Sequence, residues 1–137
     1  MAELKANASI SIEYHVTEDD LASRISSDPQ DSFPGVLATS RMLALMEIAS
    51  ARLMRPLLGS GELSVGVSAS ISHSAPTIPG ALVRVHAEFL GQEAKLYRFK
   101  VALYDAAGVA GEGEHTRAIV KAERLIAGAR RRGEDGA

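Results

Sequence analysis

A chain of 137 residues, 46% hydrophobic and 23% charged, has the size and balance of one globular domain with a core of its own. Its net charge of −2 sets up no basic field for nucleic acid, and three Phe, three Tyr and no Trp are too few for a base-stacking platform. The absence of cysteine excludes disulfides, thiolate catalysis and Cys-ligated metal centres.

Residues 8–14 alternate apolar and polar and predict a strand. From Thr17 to Gly35 the chain is rich in Glu, Asp, Ser and Pro and reads as a loop, with one short helical stretch around Asp19 to Ile25. The strong helix signal follows, from about Ser40 to Leu58, with Thr39 or Ser40 as its cap and Gly59-Ser60-Gly61 as its stop. Met42, Leu43, Met46, Ala49, Leu53, Met54, Leu57 and Leu58 cover more than half of its circumference. Arg41, Arg52 and Arg55 form its polar strip.

Beyond the helix the period becomes two. Leu63, Val65, Val67, Ala69, Ile71 and His73 are expected on one face, and Ser64, Gly66, Ser68, Ser70 and Ser72 on the other. The uncharged run Leu63 to Val83 is long enough for a membrane span, but its serines, His73, Pro76 and Pro79 argue against one. After a Pro-rich turn come a strand from Ala81 to Phe89, another through Tyr97 to Leu103, and a last one from about Val109 to Lys121. Residues 122–137 are expected to form a frayed, solvated tail after at most a short helical start. No basic-then-apolar leader pattern opens the chain, so a soluble cytoplasmic domain is expected over 1–137, with its core at about 8–121.

Four consecutive strands predict an antiparallel meander, and a helix this apolar needs a sheet wrapped around it. The expected class is α+β, with an antiparallel sheet around one long central helix: the hotdog arrangement. Such a sheet has an edge to protect, which favours a homodimer.

Three residues break the pattern. Glu47 lies inside the apolar arc with no basic residue at helical spacing. It is either a structural carboxylate, paired with a distant Arg or emerging at a dimer edge, or a desolvated group held for nucleophilic or general-base work. His73 continues the apolar strand face, as a structural imidazole or as the acid–base partner of Glu47. Thr39 is a cap or a hydroxyl beside helix-start amides that hold an oxyanion. Gly66 marks a bulge or a close approach by a ligand. His115 and Arg117 share a face of the last strand, whereas His15 and His86 read as surface groups. Serine-hydrolase, P-loop and zincin motifs are absent, and no metal-ligand spacing occurs.

Taken together, Phe33-Pro34-x-Val36-x-Ala38-Thr39, then Leu45-Met46-Glu47, then Gly66, Ser72-His73, Pro79-Gly80 and Gly113-x-His115-x-Arg117-Ala118 resemble the hotdog-fold acyl-CoA thioesterases. The nearest group is the one typified by fluoroacetyl-CoA thioesterase. The resemblance covers about Phe33 to Val120. It implies hydrolysis of an acyl-CoA thioester with Thr39, Glu47 and His73 as the catalytic trio, and with Phe33, Gly66 and Arg117 at the substrate. It also implies a homodimer; no metal or cofactor is expected, and composition gives no nucleic-acid or membrane partner. Fluoroacetyl-selective members have a second phenylalanine in the lid segment, where this chain has the polar run Ser26 to Ser32. The alternative is a non-catalytic acyl-CoA or small-ligand binding module on the same fold. A hotdog hydratase would need an Asp/His pair before the helix, and none is present.

Overall fold

The computed structural model describes residues 3–136. It contains β1 (Ser9–His15), α1 (Thr39–Met54), β2 (Glu62–His73), β3 (Leu82–Glu93), β4 (Leu96–Asp105), β5 (Gly108–Lys121) and α2 (Ala122–Asp135). Between β1 and α1 the acidic loop makes two 3-10 turns, Glu18–Asp20 and Ala22–Arg24. Among the described residues no helix is long and apolar enough to cross a membrane.

The five strands form one antiparallel sheet in the order β1-β3-β4-β5-β2. Only β3, β4 and β5 are the expected meander. The segment after β2, through Pro76 and Pro79, carries the chain to the far side of the sheet, so β2 pairs with β5 and stands at an edge.

The sheet curls around α1, as the breadth of that helix's apolar surface requires. Met42, Leu45, Met46, Ala49 and Met54 are buried against Val83, Val85, Ala87 and Phe89 of β3 and Phe99, Val101 and Leu103 of β4. Ser50 is also fully buried, its hydroxyl satisfied by the Met46 carbonyl at 2.9 Å. Gly111 lies directly beneath Met42, where an added Cβ would overlap the methionine sulfur.

Local expectations needed correction at four places. The N-cap position of α1 is Ala38, with no side-chain capping bond, not Thr39 or Ser40, and the Thr39 hydroxyl is turned elsewhere. It ends at Met54 because Pro56 has no amide to donate, and Arg55–Leu57 tighten into a 3-10 turn. The tail is a helix to Asp135, although Leu125 and Ile126 remain exposed on it. In β2 the pairing slips between Gly66 and Ser68, leaving Val67 as an extra residue. The bulge reverses the inside and outside faces, so Ser64 and Gly66 point toward the helix with Ala69, Ile71 and His73.

Candidate active site

Thr39 is the first residue of α1 and His73 the last of β2. The hydroxyl and Nδ1 share a hydrogen bond of 2.8 Å. Thr39 lies one residue inside the N-cap position, which Ala38 occupies, so its side chain is free for this contact. The other ring nitrogen, Nε2, is buried and has no hydrogen-bond partner among the described residues, an arrangement that folding alone does not reward. Both residues border a cavity of about 530 Å³ whose apolar wall includes Ile25, Phe33, Val36, Ala75 and Pro76. Phe33 is half exposed at its mouth. The segment leading to Phe33 is polar, with a hydrogen bond between Ser26 and Asp31 and a turn held by the Asp28 carboxylate on the Gln30 amide at 2.9 Å.

Glu47 is elsewhere. Two turns further along α1, it sits roughly 12 Å from Thr39 by helical rise. Its Oε2 accepts a hydrogen bond from Arg117 NH1 at 3.1 Å. The carboxylate is not the desolvated, isolated group its neighbours in α1 suggest: 42% of the side chain is exposed, and the guanidinium beside it is buried. Arg117 is held by Ser64, through Nε to Oγ at 3.0 Å and NH2 to the carbonyl at 2.9 Å.

Gly66 faces this carboxylate across the sheet–helix gap. A Cβ built there would lie 2.6 Å from Glu47 Oε2 and 3.2 Å from His115 Cε1. The missing side chain is what lets the acid lie flat against the strand. Glu47, Gly66, Ala69 and His115 line a shallow depression with Leu43, Val67 and Ser68.

Within the chain, then, the sequence-derived residues form two clusters: Thr39, His73 and Phe33 at one, Glu47, Gly66 and Arg117 at the other. Gly66 and His73 are seven residues apart in β2, about 23 Å along an extended strand. The expected direct pairing of Glu47 with His73 is not made within the chain.

The family model for fluoroacetyl-CoA-specific thioesterase matches residues 16–123. The chain belongs to this family. It is 38% identical over 100 residues to the fluoroacetyl-CoA thioesterase of Streptantibioticus cattleyicolor, covering 73% of this chain and 72% of that one. A solved structure of a fluoroacetyl-CoA thioesterase superposes with a TM-score of 0.90 at 30% identity, over 95% of this chain and 98% of the other. A thioesterase superfamily member from Thermus thermophilus superposes with a TM-score of 0.86 at 26% identity, over 98% and 97%. These findings decide between hydrolase and binding module: the protein is an acyl-CoA thioesterase on a hotdog fold.

Sequence reasoning assigned no role to two residues of the thioesterase's Arg117 cluster. Alternation puts Ser64 on the face opposite His73, because the bulge at Val67 leaves no mark in the pattern. His115 carried a usable signal, since it shares the inner face with Arg117 two residues on. Its 2% exposure makes it one of the most buried polar groups of the sheet.

Proposed function

We propose that the protein hydrolyses short acyl-CoA thioesters at a site shared between two copies, with Glu47 from one and Thr39 and His73 from the other. The observation that carries this reading is the position of β2. It is one of the sheet's two edge strands, it exposes Leu63 and Val67, and unlike β1 it bears both half-sites, one around Gly66 and one at His73. Unpaired edges of this kind recruit a second strand, and a two-fold interface is self-complementary. Antiparallel pairing centred between Ala69 and Ser70 sets Gly66 of one copy opposite the partner subunit's His73. The orphaned Nε2 then faces the carboxylate of Glu47.

In that arrangement the Glu47 carboxylate acts on the thioester carbonyl, either directly, forming a mixed anhydride, or by taking a proton from water as it attacks. The C–S bond breaks, the sulfur receives a proton from His73, and the free acid and CoA leave with one water consumed. Amides at the start of α1 and near Gly66 face the oxygen on which negative charge develops. Carboxylate, imidazole and water suffice for this chemistry, so the route uses no metal or organic cofactor.

The acyl group would enter the cavity behind Phe33. A variant of the related enzyme has been solved with fluoroacetate and CoA, and fluoroacetyl-CoA belongs at the head of any substrate panel. The polar, solvated lid from Ser26 to Ser32 excludes water poorly, and we expect weak discrimination between fluoroacetyl-CoA and acetyl-CoA.

Thiol release from a panel of short and medium acyl-CoAs tests the proposal. Turnover should fall by roughly a hundredfold or more in E47Q and H73A with the fold retained. Full turnover in E47Q would end the assignment. Intact-mass analysis of a quenched single turnover separates the two routes, because only direct attack leaves the acyl mass on the protein.

A further inference from the structure

We infer that His115 is a positioning residue for this reaction, a neutral imidazole that sets Arg117 so that Glu47 presents one free oxygen to the thioester. The inference rests on Glu47 being the reacting carboxylate.

Two contacts fix the state of the ring. Nδ1 lies 2.8 Å from the Ser68 carbonyl oxygen, which can only accept, so Nδ1 carries the proton. Nε2 lies 3.1 Å from Arg117 NH1, which can only donate, so Nε2 presents its lone pair. The same NH1 donates its other hydrogen to Glu47 Oε2 at 3.1 Å. One nitrogen thus bridges imidazole and carboxylate, and both of its hydrogens are directed. Oε2 is occupied and Oε1 is left for chemistry.

The tie to Ser68 gives the arrangement its register. Ser68 follows the extra residue of the β2 bulge, so His115 links the irregular part of the edge strand to the guanidinium. The charged groups facing the ring are Arg117 from β5 and Glu47 from α1. β4 contributes Phe99 opposite it, and β2 contributes Ala69. Burial, reinforced by the positive Arg117, lowers the imidazole's affinity for a second proton below that of an ordinary histidine. The Ser68 bond and Glu47 oppose this only in part. A proton on Nε2 would set donor against donor and turn NH1 away from Glu47.

Three variants and two NMR readouts test the inference. Asparagine keeps a donor for Ser68 but has no acceptor for Arg117, whereas glutamine returns an acceptor near the place of Nε2. H115N and the apolar, ring-bearing H115F should lose about tenfold or more in kcat with little change in KM, and H115Q should recover most of the loss. In the 15N spectrum of the unmodified protein, His115 should show a protonated Nδ1 and a bare Nε2 that persist into mildly acidic solution. A wild-type kcat in folded H115N or H115F would overturn the proposal, as would an Nε2-protonated ring. If the unmodified protein released CoA from no thioester, the hydrolase reading would fail instead. The ring tautomer, and the slow exchange of the Arg117 NH1 protons with its loss in H115F, would still decide whether His115 holds the guanidinium.

Discussion

Gly66 is where the chemistry of a single residue is most sharply defined. A methyl group there would meet Glu47 Oε2 at 2.6 Å and the His115 ring at 3.2 Å. The obstructing atom is the far end of a flexible side chain, so the protein can absorb the change by swinging the carboxylate outward. G66A should therefore leave the melting temperature within a few degrees and still reduce kcat by roughly tenfold to a hundredfold, since small misplacements of a reacting group cost that much. Parallel thermal melts and steady-state kinetics check this, and unchanged kcat would mean the carboxylate does not need its present seat. Gly66 was recognisable in the sequence as a strand position lacking a side chain. What it made room for was not, because strand periodicity placed it on the opposite face from His73. One inserted residue, Val67, reverses that parity, and nothing in the residue types announces it.

At the scale of elements, the lid segment hangs from the start of α1 through Asp20. Its carboxylate is 3% exposed and accepts from the Thr17 amide at 2.7 Å, the Thr17 hydroxyl at 3.0 Å, Tyr14 at 2.7 Å and Arg41 Nε at 2.7 Å. Its carbonyl also receives the Ala38 amide at 2.9 Å, joining the loop to the helix cap. Burial alone would push the carboxyl up. The hydrogen bonds, led by the Thr17 amide, outweigh it and hold the group below its ordinary value of 3.8. A carboxyl depressed on folding contributes stability above its unfolded value, and that contribution disappears as pH falls through the folded one. D20N should therefore be less stable by about 2 kcal/mol near neutrality, a loss of roughly 5 °C in melting temperature. The gap between the two proteins should close below about pH 4 as Asp20 in the unmodified chain protonates. A gap that stayed constant down to pH 3 would show that the charge on Asp20 contributes nothing. The acidic loop and the long helix were both legible from composition and period. The knot between them was not, because it depends on a side chain 21 positions from its arginine.

For the whole molecule, the fold class followed from one observation in the sequence, a helix apolar over most of its circumference preceding a set of alternating strands. Strand order did not follow. Short connections favour neighbours, and only the folded chain shows β2 displaced to the edge. That displacement carries the strongest prediction of the shared site. E47Q and H73A each remove one half of it, so neither homodimer should turn over. Co-expressed in equal amounts, they should form mixed dimers in which one site draws Glu47 from one chain and His73 from the other, both unmodified. Random assortment makes about half of the dimers mixed, each with one intact site of two, so activity should return to about a quarter of the unmodified level. If both groups served within one protomer, no combination of the two variants could rebuild a site, and the mixture would be as inactive as its components. A monomer by light scattering at assay concentration, with turnover retained, would exclude the shared site by a separate route. Recovery in the mixture would instead make the exposed edge of β2 the feature that converts two separated half-sites into one enzyme.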